Sequence, residues 1–170
     1  MNAALNAVVA GARAARVRAA IALIACVPGY EADAQALARL LETERIRYVP
    51  VLADRAHAGL TGIITLGPEP FAQGATLAGL AETLVHEAYH GRQNPLLKSV
   101  SFWAGVFTRT DTMLRYERPA YEYALRFLTR LAEVVPERAD EAGEESEAVR
   151  AGFGGDYGAV LDLSVAAPPR

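Results

Sequence analysis

Cysteine is almost missing from this chain: Cys26 is the single one among 170 residues. That excludes an intrachain disulfide and any zinc site built from several thiolates, so a zinc ribbon or finger is out. Histidine is scarce as well, with only His57, His86 and His90. Long apolar runs are lacking, and none reaches the roughly 18 to 20 residues that a membrane-spanning helix needs. There is no basic excess either. The formal net charge is -3, and no basic patch stands out to neutralise phosphates, which argues against a nucleic-acid partner. The charge is uneven, though: Arg13, Arg16 and Arg18 cluster near the start, while 137 to 147 is strongly acidic. What is left is 52% hydrophobic and 22% charged residues, the profile of a globular domain. The chain is long enough for one domain with a core and short for two.

Near the N-terminus, "ARVRAAIALIAC" sets arginines before a short apolar run that ends in cysteine. It resembles the signal at which bacterial lipoproteins are cut and acylated, which would anchor the chain through Cys26. The run is short and the region ahead of it long for a signal peptide. The expectation is therefore a cytoplasmic protein in which Leu5, Val8, Val9 and Val17 form the buried face of a helix.

The periodicity predicts a helix over 3 to 25, broken by Pro28-Gly29, and a second over 31 to 44 with Ala34, Leu37, Leu40 and Leu41 on one face. "IRYVPVLA" and "GLTGIITLG" read as two strands joined by the loop "DRAHAG". Pro50 suits an edge or a bulge better than a central strand. A helix over 76 to 92 follows, then an apolar stretch of 96 to 109 without clear period. Beyond it lies a long helical pattern capped at Thr110 or Asp111, which Pro119 either kinks or starts. The expected organisation is an α+β domain over 1–135 and an acidic, glycine-containing tail over 136–170 that is loosely held.

The chemistry concentrates in "LAGLAETLVHEAYHGRQ", residues 77 to 93. Residues four apart on a helix lie about 40° apart around its axis. His86 and His90 thus project from one side and can meet one ion. Neutral imidazole is a good zinc ligand, and a catalytic zinc keeps three protein ligands plus one open place for water. Glu87 sits about 100° from His86, able to reach that water without coordinating. Zinc lowers the pKa of its water to about 7, so a carboxylate there can take the proton and pass it to a leaving amine. This is the H-E-x-x-H arrangement of metallopeptidases. The bland alternative is a polar patch on an ordinary helix.

A third ligand must come from elsewhere, because nothing after Gln93 extends the motif to a third histidine. Gln93 itself suits a hydrogen bond to a ligand. His57, between the strands, reads as surface. The acidic candidates are Asp111, Glu117 and Glu122. Glu117 in "YERPAYEYALRFL" leads a helix with Ala120, Ala124 and Phe127 behind it. Glu122 points about 140° away from it, so the two are alternatives and Glu117 is preferred.

"HEAYH" followed by a glutamate in E-x-x-A-Y resembles the gluzincin group, zincins whose third ligand is glutamate. The order of elements over about 31 to 134 resembles the compact ImmA/IrrE-type metallopeptidases. The resemblance implies a zincin-like fold, with a small β-sheet packed against the active-site helix and a second ligand-bearing helix. It implies Zn2+ held by His86, His90 and Glu117, with Glu87 as general base. It also implies a peptide or protein substrate bound along an edge strand, here Gly62 to Leu66, by backbone pairing. Tyr121, one turn after Glu117, is the candidate donor to the oxyanion; Tyr89 is a second, equally readable as core. Two other functions need the same ligands: a regulatory zincin-fold protein without turnover, and a hydrolase of non-peptide amides. Val160, Leu161 and Leu163 give the tail an apolar stretch: the preferred expectation is a simple packing strand or a disordered end, the alternative a tail docked near the cleft, where Asp156 could offer a further carboxylate.

Overall fold

Apolar side chains recurring every three to four residues build the helices, whereas the branched residues come in twos and threes and support only short strands. A computed structural model describes residues 7–59, 62–93, 113–157 and 161, without the side chains of 113–115 and 156–157. In chain order the elements are β1 (Ala7–Val8), α1 (Gly11–Ala25), α2 (Glu31–Glu42), β2 (Ile46–Tyr48), β3 (Ala56–Ala58), β4 (Ile64–Leu66), α3 (Leu77–Arg92), α4 (Met113–Val134) and α5 (Ala139–Tyr157). The fold is α+β. Its sheet has the order β1-β2-β4-β3, with β2 and β4 parallel and the outer two strands antiparallel to their neighbours.

Helix α3 is the centre of the molecule. It touches α1, α2, α4, α5 and β3, and every residue from Ala78 to Glu87 is buried. Thr76 caps it, its hydroxyl oxygen accepting from the Gly79 N–H at 2.9 Å. A buried polar staple holds its far end. Asp33 of α2 takes the Tyr123 hydroxyl of α4 at 2.6 Å and the Arg92 guanidinium of α3 at 2.6 Å. The helices that carry the motif residues are therefore tied to one another through α2.

Several expectations change. The first helix begins at Gly11 and not at residue 3, since Ala7 and Val8 pair with Tyr48 and Arg47 as a strand. The turn from that strand into α1 needs the left-handed backbone of Gly11 (φ +56°). "IRYVPVLA" contributes only Ile46–Tyr48 to the sheet, and Pro50 lies in a turn. "DRAHAG" is not merely a loop, because Ala56–Ala58 pairs with Leu66 to Ile64. Consequently Gly62 to Leu66 is not an edge strand: β4 is enclosed by β2 and β3, and the free edge on that side belongs to β3 among the described residues. Helix α4 runs through Pro119 as one helix, although the ring offers no N–H to the Arg115 carbonyl.

The segment after Pro136, expected to be loosely held, forms a 3-10 turn and then the 19-residue helix α5. Ala142, Val149 and Phe153 bury a stripe of it against α3 and α4, and apolar burial of this kind holds a helix whose glycines disfavour it. Residues 94–112, with Asp111, lie outside the described residues. So do Val160, Leu163 and the Asp156 side chain, while Leu161 is buried. The run ahead of Cys26 is α1 itself, with Val17, Ala20 and Ile24 fully buried; a cut before Cys26 would strip them from the core. No described helix is long and apolar enough to cross a membrane.

Candidate metal centre

One face of α3 and the first turns of α4 meet at the floor of a cleft of about 500 Å³. The edge strand β3 forms one wall, and Ala148, Val149, Gly152 and Phe153 of α5 form another. His86, His90 and Glu117 converge there. His90 Nε2 lies 2.9 Å from His86 Nε2 and 3.0 Å from Glu117 Oε2, and His86 Nε2 lies 3.4 Å from the same oxygen. Three donors bound to zinc at about 2.05 Å in tetrahedral geometry stand roughly 3.3 Å apart. The triangle observed has that size, and these three residues could hold a metal ion.

The electrostatics agree with a cation site. Burial alone would raise the Glu117 carboxyl, yet hydrogen bonds with His86 and His90 hold it down at about 2. Burial would lower His86, but Glu117, Glu87 and Glu82 together raise it. Both shifts say that positive charge between these groups is stabilised. Burial, aided by Glu117 and Glu87, pushes the Tyr116 hydroxyl up to about 12.

Glu87 lines the same cleft and is itself buried, and its Oε2 has no hydrogen-bond partner among the described residues. An ionised oxygen in that position is costly unless water or substrate reaches it. Tyr121 also lines the cleft, its ring 4.5 Å from the His86 ring and 5.1 Å from Phe153.

The other candidates fall elsewhere. Glu122 turns away from the cluster and faces Arg118 at 3.8 Å. Tyr89 packs against Tyr123 and takes no part in the cleft wall. His57 is exposed on β3, facing the cleft but outside the converging triangle. Gln93 reaches His90, Oε1 to Nδ1, at 2.6 Å.

Sequence reasoning passed over Glu82, one turn before His86, although the regular spacing of Glu82, His86 and His90 was a signal for it. Burial raises its carboxyl, opposed by His86 and Arg55. It also passed over Arg55, which lies between Glu69 (3.0 Å), Glu82 (3.7 Å) and Glu145 (3.4 Å) at one end of the cleft. Nothing local in the sequence announces that role. A scan against protein-family models, a search of curated proteins and a search of solved structures each return no match.

Proposed function

We propose that this protein is a zinc-dependent peptidase. The observation that carries the reading is the triangle of His86, His90 and Glu117 donor atoms beside the buried, unpartnered Oε2 of Glu87. Zinc bound by the three would act as a Lewis acid and bring water to ionise near neutral pH. Glu87 then takes the proton of the attacking water as its oxygen bonds to the peptide carbonyl carbon. The same carboxyl returns the proton to the amide nitrogen as the C–N bond breaks. Tyr121, beside His86, donates to the oxygen on which charge develops. The side chains of β3 and α5 line the walls of the cleft.

The substrate is an extended peptide, and the strand it pairs with is β3, not Gly62 to Leu66. A sheet edge offers backbone groups to an incoming strand, and the β3 edge borders the cleft that holds the three ligands. The test joins metal content to turnover. The wild type should carry one zinc per chain and cleave members of a peptide library. His86→Ala, His90→Ala and Glu117→Ala should lose stoichiometric zinc, and Glu122→Ala should keep it. Glu87→Gln should keep zinc and lose hydrolysis. Full zinc in both histidine variants, or unchanged turnover in Glu87→Gln, would refute the proposal.

A further inference from the structure

Helix α3 ends at Gln93, whose extended backbone (ψ 146°) turns the chain out of the helix three residues after His90. Its side-chain amide lies between two helices. The amino nitrogen is 2.9 Å from the backbone carbonyl of Tyr116, and the amide oxygen is 2.6 Å from Nδ1 of His90. A backbone carbonyl only accepts, so the group facing it must be the NH2 and the amide orientation is determined by its surroundings. The oxygen that faces His90 can only accept in turn, and Nδ1 must therefore carry the hydrogen. An imidazole with its hydrogen fixed on Nδ1 offers Nε2, the atom that faces His86 and Glu117, to an ion or, before one binds, to a proton shared with Glu117.

From this we infer that Gln93 is a positioning residue for the metal centre, an inference that rests on the zinc reading above. It sets the tautomer of His90 and, with the same side chain, locates the residue ahead of Glu117. The Tyr116 ring stacks on His90 at 4.6 Å and 7°, so the imidazole is held by its edge and by its face. His86 is treated differently. Its Nδ1 is buried without a hydrogen-bond partner among the described residues, so none of those fixes its tautomer as Gln93 does for His90. One of the two imidazoles is thus preset for coordination, and a single amide presets it.

The test compares Gln93→Met, of similar length without an amide, with Gln93→Glu, which keeps an acceptor toward His90 but cannot donate to the Tyr116 carbonyl. Zinc affinity is measured by competition with a chromophoric chelator. Imidazole 15N shifts are recorded on the metal-free proteins, each checked for folding by circular dichroism. In the wild type His90 should show the hydrogen on Nδ1. Gln93→Met should give mixed tautomers and bind zinc 10- to 100-fold more weakly, the usual cost of losing a ligand's hydrogen-bond partner. Gln93→Glu should keep the tautomer and recover most of the affinity. The inference is overturned by a metal-free wild-type His90 that lacks a hydrogen on Nδ1 or by a Gln93→Met variant within threefold of wild-type affinity. It is also overturned if Gln93→Glu is as weak as Gln93→Met, since Gln93 would then only tie the helices together. A wild type that takes up no zinc would sink the peptidase reading, and the tautomer measurement would still judge Gln93.

Discussion

Gly79 in the first turn of α3 is where the acidic helix α5 meets the helix that carries His86 and His90. A methyl group at this position would lie 2.6 Å from the carboxyl carbon of Glu145, so Gly79→Ala must push that carboxylate aside. Glu145 accepts from the Thr76 hydroxyl at 2.7 Å and lies 3.4 Å from Arg55. Helix propensity alone favours Ala over Gly by about 1 kcal/mol. Against it stands a hydrogen bond to a charged group, about 1.5–3 kcal/mol. The ion pair to the partly exposed Arg55 adds at most about 1 kcal/mol. Gly79→Ala should therefore destabilise by about 0.5–3 kcal/mol, the lost hydrogen bond outweighing propensity. In a Glu145→Ala background the obstacle is gone, and the same substitution should stabilise by up to about 1 kcal/mol. The sign reversal measures the coupling between the two residues. Urea unfolding of the four proteins, followed by far-ultraviolet circular dichroism, reads it directly. If Gly79→Ala has the same sign in both backgrounds, α5 is not docked on this turn and the reasoning fails.

Burial holds the Asp33 carboxyl above its ordinary range despite the Tyr123 hydroxyl and Arg92. A group raised in the folded state contributes stability below its unfolded value, near 4, and loses it as pH rises through the folded one. Asp33→Asn, which still accepts from Tyr123, should thus gain on the wild type as pH climbs from about 4; an unchanging gap between urea midpoints from pH 4 to 7 would show otherwise. Truncation after Arg138 removes Phe153, Val149 and Ala142 from the core. Loss of a buried Phe alone costs about 3–5 kcal/mol, so the shortened chain should lose its cooperative thermal transition. A folded, faster peptidase would instead mean that α5 only covers the cleft. Tyr121→Phe keeps the ring contacts with His86 and Phe153 and should retain zinc while turnover drops about 10²- to 10³-fold; equal turnover would remove the hydroxyl from the chemistry.

The convergence of His86, His90 and Glu117 was legible in the sequence because helix geometry is periodic. Two histidines four apart must share a face, and a glutamate five residues from another cannot. The strand at the cleft was not legible. Ala56-His57-Ala58 has no branched residue, and its pairing with β4 comes from tertiary context, the level at which strand propensity is weakest as a guide. Helix α5 was hidden for a different reason. Its many glutamates read as a solvated tail, yet Glu145 and Glu141 reach the Thr76 hydroxyl and the Ala78 N–H at the start of α3, where a helix end favours negative charge. The spacing of Ala142, Val149 and Phe153 by seven and four residues was its one visible helical signal. Residues 7 and 8 were misread because alanine and valine continue an apolar helical pattern as readily as they form a strand.

The burial of α3 from Ala78 to Glu87 bears on the order in which the three residues can come apart. The amides of that buried run should exchange deuterium only when the whole molecule opens, the behaviour of the most protected unit of a fold. His86 and His90 travel on that helix and cannot be drawn apart by a local fluctuation. Glu117 arrives from another helix, one residue beyond the carbonyl that Gln93 holds. Were these three residues to hold an ion, a chelator taking it from the folded protein would work against Glu117 first, and the two imidazoles would remain as a preformed half-site.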